Sequence, residues 1–317
     1  MADQPVPLTV AIVGLGKIAR DRHVPAIEAS ERLQLLGTAD PTGGGLADIP
    51  HFRNFEALLD AGYLPDAVAV CTPPQQRFDI ARAALERGRH VLLEKPPATT
   101  VGQVESLRAL AADRGLTLFC AWHSRFAAAV RPAEQWLASR RIRHVRIVWR
   151  EDVRVWHPGQ TWIWEPGGFG VFDPGINALS VATAILPAPP FLIGAELHYP
   201  ENCQTPIAAE LTCSDAHGTD ISVSLDFLQT GPQTWDIAVA TDAGELALSH
   251  GGAHLLADGR EVPLPPHAEY PALYAHFAAL IGRGLTDADT TPLRLVADAF
   301  MLGRHVSAPA FHDRGSG

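Results

Sequence analysis

The stretch Leu8-Thr9-Val10-Ala11-Ile12-Val13-Gly14-Leu15-Gly16-Lys17-Ile18-Ala19 decides the fold. Leu8 to Val13 is an apolar, β-branched run of strand length, and it passes straight into Gly-x-Gly-x-x-Ala before a helical pattern begins. That order suits a dinucleotide. Gly14 permits a tight turn, Gly16 lets a pyrophosphate approach the backbone, and Ala19 allows the helix to pack closely. The free amides of the helix start then face the anion. Alone the pattern is weak evidence. It gains weight from a second strand, Leu33 to Ala39, that ends at Asp40, where a carboxylate binds the ribose hydroxyls of adenosine. The bland alternative is that Asp40-Pro41 only opens a turn. A carboxylate there repels a 2′-phosphate, so NAD is favoured as cofactor, with NADP still possible.

Working outward, strands and helices alternate. Ala67 to Cys71 is a short buried strand that leads into Thr72-Pro73-Pro74, and a helix follows from about Gln75 to Arg87, ended by Gly88. His90 to Glu94 is the next strand, then Lys95-Pro96-Pro97, a helix from Thr100 to Arg114, and a strand from Thr117 to Ala121. This spacing predicts a doubly wound parallel α/β sheet, whose ligands bind beyond the carboxyl ends of the strands. Gly14, Asp40, Thr72, Lys95 and His123 all follow such ends. Lys17, Ile18 and Pro73 join them as expected cofactor contacts.

Beyond residue 121 the pattern changes. A helix is expected from Val130 to Arg140, and Arg141 to Trp149 alternates charged with apolar residues, as a strand with one open face does. Phe191–Tyr199, Ile207–Thr212, Asp220–Leu225, Trp235–Ala240 and Glu245–Leu248 read as further, mostly antiparallel strands. Ala272–Ile281 and Leu293–His305 read as terminal helices. The expected domains are 1–121, a Rossmann domain that binds dinucleotide, and 122–317, an α+β domain that binds substrate.

The bulk numbers agree. A chain of 317 residues exceeds what one core usually serves. A formal charge of -10 argues against nucleic acid, whose binders carry basic patches. Cys71, Cys120, Cys203 and Cys213 form no close pairs and read as reduced thiols of a cytoplasmic protein. Met1-Ala-Asp-Gln-Pro5 lacks the charged-then-apolar order of a secretion signal, and prolines break the apolar run from Val181 to Ala195, so no membrane span is expected. No His/Cys/Asp spacing suggests a metal site.

A second chemical signal lies in Glu165-Pro166-Gly167-Gly168-Phe169-Gly170-Val171-Phe172-Asp173-Pro174-Gly175-Ile176-Asn177. Asp-Pro often starts a helix, with Asp173 as N-cap and Pro174 at the first helical position. Asp173 and Asn177 then share a face, one turn apart. Gly167, Gly168 and Gly170 read as a close approach of backbone to a small polar substrate whose proton Asp173 handles. The rival is that Asp173 is simply a cap worth roughly 1 kcal/mol. Trp156, beside His157 near this stretch, is a candidate for sugar contact, since aromatic faces suit the C–H side of a pyranose. Trp149 and Trp136 read as core. His123 and Glu151 follow strand segments and are either substrate contacts or satisfied structural groups. Lys17 and Lys95 are the two lysines of a chain that otherwise uses arginine, so Lys95 at a strand end is informative.

Glu94-Lys95-Pro96, together with the glycine pattern, resembles the glucose–fructose oxidoreductase / inositol dehydrogenase family. Trp122–Phe126, Glu151–Gln160, Trp162–Gly168, Phe172–Leu179 and Tyr270–Phe277 resemble its aldose 1-dehydrogenase branch, which takes L-arabinose and D-galactose. The resemblance implies a second domain with a large open-faced sheet and a neutral aldopyranose bound between the domains. It implies that Glu94 and Lys95 contact cofactor, that Lys95 also reaches substrate, and that Lys95–Pro96 is cis. His123, Glu151, Trp156, His157 and Trp235 become substrate contacts, and the open sheet implies a homodimer or higher homo-oligomer. Where the wider family carries a histidine, this chain has Asn177, and an amide cannot carry a proton at neutral pH. Acid–base work then passes to Asp173, with Lys95 aiding and Asn177 orienting a hydroxyl. Arabinose dehydrogenases of the branch carry arginine after the second strand, which favours NADP; Asp40 departs from them. The implied activity is oxidation of the anomeric C1 hydroxyl of L-arabinose, D-galactose or D-fucose to a lactone. The alternatives are a cyclitol or other ring-hydroxyl dehydrogenase, and a sugar or nucleotide sensor without catalysis.

Overall fold

The computed structural model describes residues 6–266 and 268–313; Met1 to Pro5, on which the reading of the chain's opening rests, lie outside them. The chain forms two compact units. The first holds the described residues up to His123 together with Glu269–Asp289, and the second holds the rest.

In the first unit β1 (Leu8–Val13) leads through Gly14 to a π-helical turn at Ala19–His23 and α1 (Val24–Glu28). Then come β2 (Leu33–Ala39), β3 (His51–Phe52), α2 (Phe55–Asp60), β4 (Ala67–Val70), α3 (Pro74–Glu86), β5 (His90–Glu94), α4 (Val101–Asp113) and β6 (Leu118–Ala121). Asn54 and Thr100 cap α2 and α4 by accepting from Ala57 N and Gln103 N. Among the described residues the strands make a six-stranded parallel sheet in the order β3-β2-β1-β4-β5-β6. β4 and β6 are buried along their whole length, as strands covered on both faces must be. The order reverses between β1 and β4, which sets the ligand position at their carboxyl ends. β3 escapes the sequence reading because two residues carry no period.

The second unit opens with α5 (Val130–Leu137), β7 (Ile142–Arg150), α6 (Val153–Trp156) and α7 (Phe172–Ile185). β8 (Phe191–Pro200), β9 (Ala208–Ser214), β10 (Asp220–Asp226), β11 (Thr234–Thr241), β12 (Gly244–Ser249), β13 (His254–Ala257) and β14 (Arg260–Glu261) follow. The chain then makes α8 (Glu269–Arg283), α9 (Thr291–Leu302) and β15 (Arg304–Ala308). Among the described residues the second sheet has nine strands in the order β14-β13-β12-β11-β7-β10-β9-β8-β15. It is mostly antiparallel; β7–β10 and β8–β15 are parallel. Val145, Ile147 and Trp149 turn one face of β7 inward, and α7 packs against β7 and β11. Arg146, Arg150, Glu210, Ser222 and Ser224 share the other, polar face.

Two stretches differ from expectation. Leu293–His305 is not one helix: α9 stops at Leu302, and β15 pairs with β8 after Gly303. A Cβ on Gly303 would lie 2.4 Å from the Ala299 carbonyl, so the break needs glycine. The helix read over Ala272–Ile281 was assigned to 122–317, yet it packs in the first unit. Leu273, Tyr274 and Phe277 of α8 are fully buried, and the Phe277 ring stacks on Phe119 of β6 at 5.9 Å. Asp287 then bonds to β6 through Cys120 N and Leu118 O.

Candidate active site

At the carboxyl edge of the first sheet, Gly14 adopts φ +92, and a Cβ there would lie 2.5 Å from Thr72 N. No side chain fits that approach of the β1 and β4 turns. Gly16 differs: a Cβ on it would meet nothing within 4 Å, so the chain's own packing does not require glycine. A molecule brought up to the backbone does. Thr72 Oγ1 is buried without a hydrogen-bond partner, which leaves a hydroxyl for that molecule. Helical bonding starts at Gly16, whose carbonyl accepts from Arg20 N at 3.1 Å. Together these features fit a dinucleotide phosphate.

Asp40 closes the same edge. Its Oδ2 accepts from Leu15 N at 2.8 Å, and its Oδ1 accepts from Thr42. Burial pushes its pKa up, but the bonds from Thr42 and Leu15 outweigh that and hold the carboxyl below its usual range. A cavity of about 190 Å³ opens here, lined by Gly14, Pro41, Arg53, Thr72 and Gln76 among others. Lys17 and Ile18 are exposed on the first helical turn, with Lys17 paired to Asp21. Pro73 leads into α3.

Lys95–Pro96 is cis. The flanking turns are held by a residue that the sequence reading missed. Arg77 is buried, and its Nε donates to Thr72 O at 2.7 Å while Nη1 donates to Glu94 O at 2.6 Å and to Pro96 O. In an arginine-rich chain nothing local marks it out. Glu94, expected to contact cofactor, has a buried carboxylate. Tyr270 Oη donates to Glu94 Oε1 at 2.6 Å, and His23 Nε2 lies 3.3 Å from the same oxygen. Burial pushes the Glu94 pKa up, yet His23, His123 and Lys95 more than reverse it and hold the carboxyl far below its usual range. His23 also meets Tyr274 Oη through Nδ1 at 2.8 Å. Burial disfavours its charge, but Cys71, Tyr274 and Glu94 win and raise its pKa. His123 pairs through Nδ1 with Glu269 at 2.7 Å and stacks on Tyr270.

In the second unit the structure gathers Glu151, Trp156, His157, Asp173 and Trp235. Asp173 is not the N-cap. α7 already includes Phe172, and Asp173 N donates to Gly170 O at 2.9 Å. The N-cap is Val171, whose side chain makes no capping bond. Pro174 is tolerated because the amides of a first turn have no helical acceptor anyway. The Asp173 carboxylate, 5% exposed, instead faces His157, with Oδ2 3.7 Å from Nδ1. His157 Nε2 lies 3.0 Å from Glu151 Oε1, and Trp235 Nε1 donates to Glu151 Oε2 at 2.9 Å. α6 ends beside this chain of groups and carries Trp156, 41% exposed, whose ring centroid is 4.8 Å from that of Trp235. Asn177 is half-buried one turn beyond Asp173.

The glycines of this stretch have a different cause from the one expected. A Cβ on Gly168 would lie 2.3 Å from Trp162 O, and one on Gly170 would lie 2.3 Å from Pro206 O. The close approach is to the protein's own backbone. Trp149 is core, as read, but Trp136 is half-buried beneath the Arg140 guanidinium, 3.8 Å from its ring centroid.

Sheet order, glycine turn and ribose-edge carboxylate define a Rossmann oxidoreductase that uses NAD or NADP. The family described as "Oxidoreductase family, NAD-binding Rossmann fold" (GFO_IDH_MocA) matches residues 8–121. Galactose 1-dehydrogenase of Pseudomonas fluorescens is 45% identical over 308 residues, covering 97% of this chain and 99% of that protein. The crystal structure of a D-galactose-1-dehydrogenase protein from Rhizobium etli matches at TM-score 0.93 and 49% identity, over 98% of this chain and 100% of that one. A 3-ketoreductase from Actinomadura kijaniata, solved with NADP, shares the fold alone, at TM-score 0.81 and 20% identity over 96% and 100%. The chain belongs to the Gfo/Idh/MocA oxidoreductase family. Among the described residues no helix is long and apolar enough to cross a membrane, and no group of three His, Cys, Asp or Glu could hold a metal ion.

Proposed function

We propose that this protein is a sugar 1-dehydrogenase that oxidises the anomeric hydroxyl of D-galactose, and of the similarly configured L-arabinose and D-fucose, to the lactone. A bound nicotinamide dinucleotide supplies the redox chemistry, and NAD is the preferred form because the Asp40 carboxylate repels a 2′-phosphate. The observation that carries the reading is the place of Asp173: buried in the first turn of α7 and facing His157. A carboxylate so held suits removal of the C1 hydroxyl proton, and a positioned base contributes on the order of 10² to 10⁴ in rate. Lys95, a compact ammonium with three donors, orients the sugar and the nicotinamide ribose. Asn177 orients a hydroxyl. Trp156 offers an aromatic face to the C–H side of the pyranose. The polar face of the nine-stranded sheet pairs two copies, which sedimentation tests.

The deciding assay follows NADH and NADPH formation with D-galactose, L-arabinose, D-fucose, D-xylose and D-glucose. Turnover with D-galactose and release of the lactone are expected. A ketone product would move the reaction to a ring hydroxyl, and silence with every aldose would favour a sensor. Asp173→Asn, which keeps the shape, should lower kcat by roughly 10² or more; near-wild-type turnover would remove Asp173 from the mechanism.

A further inference from the structure

We propose that Arg77 is a positioning residue for Lys95, holding the backbone around the lysine so that its ammonium is aimed at the nicotinamide ribose and the sugar. The proposal rests on the role given to Lys95 above. Arg77 is the fourth residue of α3, which starts directly after Thr72-Pro73 and packs against β4 and β5. Its Nη1 carries two hydrogens, and they go to Glu94 O at 2.6 Å and to Pro96 O. Its Nε carries one, and it goes to Thr72 O at 2.7 Å.

These carbonyls bracket the lysine. The Glu94 carbonyl lies in the rigid peptide plane that ends at the Lys95 Cα, and the Pro96 carbonyl lies in the plane that begins at the Pro96 Cα. Holding both fixes the point from which the lysine side chain departs. The Thr72 bond ties this segment to the turn after β4, whose buried hydroxyl is left for the cofactor. One guanidinium thus sets the spacing between two turns at the carboxyl edge of the sheet. An ammonium cannot copy this, because its donors diverge from one atom and lack the fixed fork of a guanidinium. Arg77 is 4% exposed, and a carbonyl that loses its donor there stays desolvated at a cost.

Packing alone does not call for such a group. Burying a guanidinium is costly, and an apolar side chain of like volume often replaces a buried charge without loss of stability. Here the charge lies under the turn at Lys95, and the hydrogens on Nε and Nη1 all serve the two turns. The effect of Arg77 therefore falls on the nicotinamide side of the cofactor, through Lys95. The adenosine side has a tie of its own, the bond from Leu15 N to Asp40 Oδ2 at 2.8 Å.

The test uses the full chain and begins with binding. In Arg77→Lys the Kd of NADH, followed by its fluorescence, should rise about 5-fold or more, while that of ADP, which lacks the nicotinamide ribose, stays within about twofold. Lys95→Met should show the same pattern, and adding Arg77→Lys to it should raise the NADH Kd by less than about twofold further. Equal weakening of ADP and NADH, or two effects that simply multiply, makes Arg77 a structural group and overturns the proposal. With D-galactose and NAD, Arg77→Lys should lower kcat roughly 10-fold or more, as a misplaced group does; an unchanged kcat overturns the proposal too. Arg77→Gln is the second variant should Arg77→Lys fail to fold, and it also serves a spectrum. Lys17 and Lys95 are the two lysines of the chain, so ¹³C-lysine protein without cofactor shows two Cε signals, assigned with Lys17→Arg. The Lys95 signal should move in Arg77→Gln and the Lys17 signal should not; a still Lys95 signal, or a shift of both, overturns the proposal. An NADH Kd unchanged in Lys95→Met is a different failure, since it removes Lys95 from the cofactor, and the proposal then falls with the reading it rests on.

Discussion

Asp40 does two things with one side chain. It ties the glycine turn to the end of β2 through Leu15 N, and it keeps a negative charge where adenosine's ribose binds in Rossmann folds. Two like charges about 4 Å apart at a protein surface repel by about 4 kcal/mol. Asp40→Ser keeps a short polar group and removes the charge. The ratio of kcat/KM with NADP to that with NAD should rise about 10-fold or more, equal to about 1.4 kcal/mol. An unchanged ratio would hand the choice of cofactor to another residue, with Arg53 in the adjoining cavity the first to examine. The glycines teach a complementary lesson. Gly14 and Gly16 look alike in the sequence, yet one is required by Thr72 and the other by no protein atom. Gly168 and Gly170 resembled a ligand loop and turned out to serve Trp162 and Pro206.

Among elements, α8 bears most on the cofactor edge, because it sets Tyr270 on the Glu94 carboxylate at the end of β5. Tyr270→Phe removes a hydrogen bond to a buried charge, and the unit that holds it should lose about 1.5–3 kcal/mol in urea unfolding. The pH dependence follows from the directions of the shifts. Glu94 is depressed in the folded state, so its contribution is full above the unfolded value of about 4.3 and fades as pH falls below it. His23 is raised, so its contribution is full below about 6.5 and is lost as pH climbs through its folded value. Tm should therefore fall on acidification below about pH 4, and Glu94→Gln should flatten that limb. A limb as steep in Glu94→Gln as in wild type would assign acid sensitivity elsewhere. These partners were not legible in the sequence. The parallel strands were, since runs such as Ala67–Val70 are apolar throughout and end at turn residues. Which unit α8 packs on is a long-range fact with no local pattern. β15 was legible in principle, because Gly303 interrupts the helical period. The start of α7 was not: an Asp-Pro pair fits a cap, and the carbonyl of Gly170 that draws the helix back is set by contacts with Pro206.

For the molecule as a whole, cofactor binding should register as stability. NAD at a hundred times its Kd adds about 2.7 kcal/mol to the state that binds it. The unfolding transition of the first unit should move up in temperature with NAD and move less with NADP at the same concentration; a larger shift with NADP would reverse the cofactor preference. The second sheet offers no dinucleotide turn, so its own transition should respond less.

The return of α8 has a consequence for how the protein is made. Glu94 and Tyr270 are 176 residues apart in the chain. At 5–20 residues per second a ribosome needs on the order of ten to thirty seconds to get from one to the other. Throughout that interval the nascent Rossmann sheet lacks the segment that bonds to β6 and the tyrosine that covers its buried carboxylate. A fragment that stops at His123 would keep these surfaces bare, and a pause or premature stop before Tyr270 would send an unfinished first unit to chaperones and proteases. The part of the chain that announces its fold earliest is among the last to complete it.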